Sequence, residues 1–234
     1  MKVAVVSDIH GNLPALETCF SAIARIGVDK VYFLGDAVGY LPDERSVIER
    51  LLAETAGCQK GNHEELLLAP TPRSIELEDS YALGAARLRL QTTPHWEVIR
   101  HWPEYREVCF GTKRMLFVHG SPLEPLFGYV YPDTDLTPFA DVAYDYVVMA
   151  NTHRPSLREY LGKRFVNIGS VGLPRDQGNL AAFGIYEVET DTFRIVRVPL
   201  DLDRIFSLYA GRAAPSVLKC FQRRSHEFVG EVLV

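Results

Sequence analysis

Residues Lys2–Ser7 (KVAVVS) form an unbroken β-branched and apolar run, with no alternation that would leave one face wet. Such a run fits a strand buried on both faces. A covering helix is therefore expected next, and the residues provide one. Asn12 can cap it, Pro14 suits its first turn, and Leu16, Cys19, Phe20, Ile23 and Ala24 fall on one face before Gly27 ends it. Val31–Leu34 is the second strand. Asp43 starts a second helix in which Val47, Ile48, Leu51 and Leu52 share a face, and Gly57–Lys60 is a short third strand. The opening is βαβαβ.

Beyond it the pattern changes. Residues 74–101 are helix-rich, with Leu77, Tyr81, Leu83, Leu88 and Trp96 as expected core contacts and a break at Pro94. Arg106–Phe110 and Arg114–Val118 flank Gly111-Thr112-Lys113 as a strand pair, and Tyr146–Met149 is another buried strand. Leu157–Leu161, Arg164–Ile168, Ala181–Glu187 and Phe193–Val198 read as short strands joined by tight turns, the last turn at Asp191-Thr192. An α/β fold of two packed mixed β-sheets flanked by helices, an αββα sandwich, reconciles the two halves. At 234 residues the chain is expected to be a single domain over 1–234, with a core of about 1–200 and a C-terminal arm of about 201–234.

Chemistry-bearing residues follow the apolar strands one set at a time. Asp8 and His10 follow the first strand, Asp36 the second, Asn62 and His63 the third. His119 follows the strand ending at Val118, and Asn151 and His153 follow Met149. Sites in open α/β sheets form outside the carboxyl ends of strands, so these residues are expected to converge. Taken singly, a Gly–Asp or Gly–Asn pair is as good a turn as a ligand. Their shared position after strands is what favours a site. Carboxylate, imidazole and amide oxygen suit divalent Mn, Fe, Zn or Co, and the count suits two ions. A dinuclear centre of that kind clamps a phosphate and generates hydroxide from bound water, which is the chemistry of phosphate-ester hydrolysis.

The motifs Asp8-Ile9-His10, Gly35-Asp36, Gly61-Asn62-His63-Glu64, Val118-His119-Gly120 and Asn151-Thr152-His153 appear in that order. With them the chain resembles the calcineurin-like metallophosphoesterases. The longer stretches Ser7–Asn12, Gly35–Tyr40 and Asn167–Arg175 look like its small bacterial and archaeal phosphodiesterase branch. The resemblance covers roughly positions 1 to 190. It implies that Asp8, His10 and His153 bind one metal, that Asn62 and His119 bind the second, and that Asp36 bridges them. It also implies that His63 is the catalytic non-ligand, stabilising the transition state or protonating the leaving oxygen. Two divalent ions are expected, manganese first, with Fe, Zn, Ni, Co or Mg as the other choices. A phosphodiesterase is the preferred reading, a phosphomonoesterase or a protein or nucleotide phosphatase the alternative, and a non-catalytic binding scaffold the reading from another class. Where the family usually ends in Gly-His-x-His, this chain has Ala150, Asn151, Thr152 and His153. Asn151 is thus a further candidate ligand through its amide oxygen, a poorer donor than imidazole, and a weaker second ion is expected.

Arg154, Arg175 and Tyr40 lie beside these motifs and are candidates for substrate phosphate, with a solvated rim as the plainer reading. The segments Ser74–His101 and Pro122–Pro138 are candidates to line the leaving-group pocket. Asn12 is read as a cap rather than a catalyst, and His95, His101 and His226 as surface or packing residues. Cys19, Cys58, Cys109 and Cys220 show neither disulfide nor zinc-site spacing. With a net charge of −5, nucleic acid is an unexpected partner. No apolar run spans a bilayer and no secretory signal is evident, so a cytoplasmic protein acting on a small phosphorylated substrate is expected. The basic, aromatic tail around Leu218–Arg224 is read as an arm packed on the body, with dimerisation into a homo-oligomer as the minority reading.

Overall fold

A computed structural model describes residues 1–233. Two mixed sheets pack face to face. The first has the order β11 (Glu231–Val232), β10 (Thr192–Pro199), β9 (Leu180–Glu187), β1 (Lys2–Val6), β2 (Lys30–Phe33), β3 (Gly57–Cys58), and the second β4 (Tyr105–Phe110), β5 (Lys113–Val118), β6 (Tyr146–Met149), β8 (Lys163–Asn167), β7 (Ser156–Tyr160). In the first sheet, β1 (Lys2–Val6), β2 (Lys30–Phe33) and β3 (Gly57–Cys58) run parallel. The strands β9 (Leu180–Glu187) and β10 (Thr192–Pro199) form an antiparallel pair beside β1. In the second, β5 (Lys113–Val118), β6 (Tyr146–Met149) and β8 (Lys163–Asn167) run parallel, edged by antiparallel β4 (Tyr105–Phe110) and β7 (Ser156–Tyr160).

Side chains alternate across each strand, and the apolar run at the start divides accordingly. Val3 and Val5 point into the layer between the sheets, where Phe117, Val148, Val166 and Ile168 meet them. Ala4 and Val6 face the helices α1 (Leu13–Ile26) and α2 (Glu44–Glu54). The outer face of the second sheet, through Leu116, Val147 and Phe165, is covered by the segment after β5, with Val130, Leu136 and Phe139.

Helix α1 begins as its sequence suggests: Asn12 Oδ1 accepts from Ala15 N at 3.2 Å, Pro14 sits in the first turn, and Gly27 closes the helix at φ 70°. Ala24 and Leu52, expected on buried faces, are solvent-facing, as is Leu88, which is 72% exposed. Each lies just outside the stripe that packs: Leu51 is buried as expected without Leu52, and Ala22 and Ala86 reach the core where Ala24 and Leu88 do not. The third strand is shorter than expected. It ends at Cys58 because Gly61 already caps α3 (Asn62–Leu68), which frees Asn62 and His63 from the sheet. Pro94 opens the helix Pro94–Arg100 and so marks the expected break. Cys19, Cys58 and Cys220 are buried free thiols and Cys109 is an exposed one. None of the helices among the described residues is long and apolar enough to cross a membrane.

The C-terminal part folds back onto the body. The helix Leu202–Tyr209 places Tyr209 against Asp43, and β11 (Glu231–Val232) adds to β10. Between them, Ser225 N donates to Asp176 O and Gly178 N to Arg223 O, both at 3.0 Å. Beneath this crossing Arg197, fully buried, donates to both Asp176 carboxylate oxygens at 2.6 and 3.0 Å. Removing one member of such a pair leaves a buried charge unmatched. Asp176→Ala is expected to lower unfolding free energy by about 3–5 kcal/mol in urea denaturation, while Asp176→Glu loses less.

Candidate metal centre

The chemistry-bearing residues sit at the carboxyl ends of β1, β2, β3, β5 and β6, where the two sheets meet. The turns that carry them are unusual. Asp8, His10, Asp36, Tyr40, Asn151 and His153 have φ between 52° and 63°, the left-handed region that L-residues with side chains avoid. Non-glycine residues persist there only where surrounding bonds over-determine the backbone, and such positions concentrate at functional sites.

Those bonds are visible. Ile9 N and His10 N both donate to Asp36 O, at 2.8 and 2.9 Å, tying the first turn to the second. Ser170 Oγ donates to Asp8 O at 2.8 Å, and Gly172 lies so close to Ile9 that a Cβ would stand 1.8 Å from its carbonyl oxygen. Only glycine permits that approach. Asn12 is both cap and strut, its Nδ2 donating to Gly172 O at 2.7 Å.

Within this frame three overlapping groups form: Asp8, His10 and His153; His10, Asp36 and His63; and Asp8, Asp36 and His119. All six are buried. His153 Nε2 is 3.2 Å from Asp8 Oδ1, and Asp36 Oδ2 is 3.6 Å from His10 Nε2 and 3.4 Å from His119 Nε2. Asn62 joins through its Oδ1, 3.0 Å from His119 Nε2.

The imidazoles are oriented for metal. Nδ1 of His10, His119 and His153 lies 3.1, 3.0 and 2.6 Å from the carbonyl oxygens of Val38, Leu34 and Leu173. A carbonyl only accepts, so each Nδ1 carries a proton, and in the neutral ring Nε2 turns its lone pair toward the carboxylates. His10 Nε2 and His153 Nε2 are then 3.0 Å apart with nothing to donate to one another, and Asp8 Oδ1 is buried with no hydrogen-bond partner. A donor set with opposed lone pairs and an orphaned carboxylate oxygen fits a divalent cation.

Electrostatics agree. Burial, with His63 and His153 nearby, pushes His10 well below the usual histidine range against the pull of Asp36. Burial opposes charging at His119 too, but Asp36, Asp8 and Glu64 outweigh it and raise the ring to about 9. His63 is lowered to about 4, chiefly by burial, against Asp36. It is neutral near pH 7. Its ring is wedged against Tyr40, Tyr81 and His10 at centroid distances of 4.9, 4.7 and 4.7 Å. A Cβ on Gly39 would stand 2.3 Å from its Nδ1, so Gly39 makes the space for this ring.

The remaining candidates separate. Tyr40 is not a solvated rim residue: it is buried against His10 and His63, and burial pushes its phenol above the usual tyrosine range. Arg175 is half-buried and donates from Nη2 to Tyr40 Oη at 3.1 Å. Arg154 is exposed at the mouth, beside His153. Asn151 donates from Nδ2 to Gly128 O at 2.8 Å and from its backbone to Asp8 Oδ2 at 3.3 Å, linking the segment after β5 to the centre. His95, His101 and His226 lie outside the cluster. His95 faces Glu49 at 3.5 Å and His101 Nδ1 bonds its own helix at Glu97 O.

Glu64 is the residue whose part was not foreseen. Its buried carboxylate accepts from Asp36 N, Ala37 N and Gly61 N, each at 2.7 Å, and from Val38 N at 3.3 Å. One side chain thereby holds the turns that carry Asp36 and Asn62. A Glu three residues after Gly61 has the spacing of a helix-capping acid, the one signal that could have revealed it. Glu64→Gln removes one acceptor oxygen and turns an N–H₂ toward backbone donors. It is expected to lower unfolding free energy by at least about 2 kcal/mol, given ~1–3 kcal/mol per unpaired buried group. Metal content measured by elemental analysis should fall with it.

Comparison with known proteins agrees with this geometry. The calcineurin-like phosphoesterase superfamily domain matches residues 1–191. The chain is 27% identical over 188 residues to the phosphodiesterase YfcE of Escherichia coli, covering 80% of this chain and 88% of that protein. A crystal structure of a hypothetical protein from Pyrococcus horikoshii superposes with a TM-score of 0.80 at 23% identity, over 99% of each chain. A metallophosphoesterase from Sphaerobacter thermophilus does so with a TM-score of 0.79 at 23% identity, over 95% of this chain and 98% of that one.

Proposed function

The chain belongs to the calcineurin-like phosphoesterase superfamily and is a metal-dependent phosphoesterase, and we propose that it cleaves phosphodiesters at a centre of two divalent ions, manganese first among the candidates. The observation that carries the pair of ions is the place of Asp36, whose Oδ2 faces His10 Nε2 at 3.6 Å and His119 Nε2 at 3.4 Å. In this reading Asp8, His10 and His153 hold one ion, Asn62 and His119 the other, and Asp36 spans them. The preference for a diester rests on the kinship with a protein named a phosphodiesterase.

When bound, the ions supply charge to the phosphoryl oxygens and an ionised water as nucleophile. Attack by that nucleophile on phosphorus would break the bond to the ester oxygen, which would leave as alkoxide or phenoxide and take its proton from solvent. The protein's own groups act around this step. His63 is neutral, and any cation bound beside it pushes its pKa further down, so it acts as an N–H donor to a phosphoryl oxygen rather than as a reservoir of protons. Nδ1 is buried without a hydrogen-bond partner, so a proton there would go unmatched and the tautomer that carries it on Nε2 is favoured. Tyr40 accepts from Arg175, which leaves the phenolic O–H free to donate as well. Arg175 beside it offers further N–H groups to the same oxygens. Asn151, with its amide nitrogen engaged by Gly128 O, offers only an amide oxygen, so the second ion is held more weakly.

Metal-stripped protein should hydrolyse bis-p-nitrophenyl phosphate faster than p-nitrophenyl phosphate once Mn, Ni, Co, Mg or Zn is restored. No turnover with any metal would refute the reading. His63→Ala is expected to lower kcat about 10²-fold or more with metal content unchanged, and an unaltered rate would remove His63 from the chemistry.

The ring of His119 must lose its proton to bind metal. Its raised pKa of about 9 means that a proton is displaced on binding at pH 7, and the apparent affinity should rise with pH up to that value and fall in acid. For one displaced proton the change is about tenfold per pH unit. Calorimetric titration of the stripped protein at several pH values tests this, with a tight and a weaker site expected. Two equally tight sites would contradict the part given to Asn151.

A further inference from the structure

Beside the centre lies a cavity of about 670 Å³ whose walls include Tyr131, Asp133, Thr152, Arg154, Arg175 and Glu227. Its size is that of a small-molecule site. It shares a wall with the metal centre, since Thr152 and Arg154 flank His153 and Arg175 N donates to His153 O at 3.1 Å. Arg175 also touches Tyr40, whose ring centroid is 4.7 Å from that of His10. A group held in this cavity would therefore lie next to a phosphate at the centre.

Three features of the lining constrain that group. Arg154 and Arg175 form no ion pair among the described residues, although Asp133 and Glu227 line the same cavity. Guanidinium donors and carboxylate acceptors thus face one space without closing on each other, which suits a ligand that is both anionic and rich in hydroxyl donors. The third feature is aromatic. Tyr131 is 40% exposed and stacks on Tyr129, 47% exposed, with centroids 5.8 Å apart and planes at 8°. Exposed tyrosines held parallel present a flat face on which a further planar ring can stack. Phosphate for the arginines, sugar hydroxyls for the carboxylates and a base for Tyr131 together describe a nucleotide.

Resting on the phosphodiesterase reading above, we infer that this cavity is a subsite for the nucleoside part of a nucleotide phosphodiester, with the base on Tyr131 and Arg154 on the phosphate side. Two of its walls come from outside the regular strands and helices. Tyr131 and Asp133 stand in the segment between β5 and β6, and Glu227 stands beyond residue 191, where the family match stops. The C-terminal arm, tied down by Ser225 N on Asp176 O and by Arg197, then completes a substrate wall rather than only packing. Thr152 and Arg154 are next to metal ligands and belong to both sites. Substrate choice is thereby separable from the machinery of hydrolysis.

The test compares two esters with the same leaving group on manganese-loaded protein: the p-nitrophenyl ester of thymidine 5′-monophosphate and methyl p-nitrophenyl phosphate. Tyr131→Leu keeps bulk and removes the π face. It is expected to raise KM for the nucleotide ester about tenfold, with kcat within twofold and both constants for the methyl ester within twofold. Glu227→Gln should raise the same KM by a smaller factor. Equal loss on both esters, or no change on either, would overturn the subsite. Calorimetric titration with thymidine 5′-monophosphate gives a reading that needs no turnover. Weaker binding to Tyr131→Leu and Arg154→Gln supports the subsite, and unchanged binding refutes it. If the wild-type protein cleaves neither ester yet binds the nucleotide in this residue-dependent way, the proposed reaction fails and the subsite stands.

Discussion

Parallel pairing of β1 with β2 and β3 in one sheet, and of β5 with β6 and β8 in the other, aims both sets of strand ends at one edge of the molecule. The apolar layer between the sheets then holds the two sets side by side. Val3 and Val5 from one sheet and Phe117 and Val148 from the other are all but inaccessible to solvent, and such close packing leaves little freedom for one sheet to slide on the other. A metal centre needs this rigidity. His10 and His153, 143 residues apart in sequence, have nitrogens 3.0 Å apart, a distance that a shift of one sheet by a fraction of a turn would abolish.

Placing the strand ends together does not by itself aim side chains inward. That step is taken by the turns, where the left-handed conformations at Asp8, His10, Asp36, Asn151 and His153 reverse the chain within a residue or two of leaving the sheet. Each such residue costs about 1–3 kcal/mol. The cost is met locally by hydrogen bonds between turns, with Asp36 O accepting from Ile9 N and His10 N, and with Glu64 accepting from four backbone donors. Glycines permit the crossings at Gly172 and Gly39, one against the backbone of Ile9 and one against His63. The ligand set is thus an outcome of backbone bonding as much as of side-chain identity.

This explains which parts could be read from the sequence. The strand-end positions of Asp8, His10, Asp36 and His119 are legible because each closely follows an apolar run, whereas Asn62 and His63 follow the mixed segment Gly57–Lys60 and stand out only through the order of the motifs. Asn151 was legible as a departure but not in its contacts, since the Gly128 carbonyl it bonds lies in an irregular segment without periodicity. Ala24, Leu52 and Leu88 were placed on the wrong side because a helix face is set to within one residue only by what it packs against. Glu64 was hidden for a different reason: its partners are backbone amides, which leave no trace in residue type. Tyr40 and Arg175 stood out by their neighbours, yet only the fold shows one buried against His63 and the other bonded to it. The nearness of Glu227 to Arg175 is a tertiary fact that no spacing encodes.

The buried centre also carries an electrostatic imbalance that bears on how the fold and its ions depend on each other. Two carboxylates and four imidazoles are gathered out of water with several lone pairs opposed, and Asp8 Oδ1 is left without a donor. Burial of such groups is unfavourable unless charge is matched. In the absence of cations the match is made by a proton on His119, which Asp36, Asp8 and Glu64 draw upward, while burial and the neighbouring imidazoles drive His10 and His63 down. A divalent ion would replace that proton with a better-matched charge, relieve the opposed nitrogens and satisfy the orphaned oxygen together. Part of its binding energy would then be folding energy for the turns, because the bonds that aim these side chains are the ones the ion would relieve of strain.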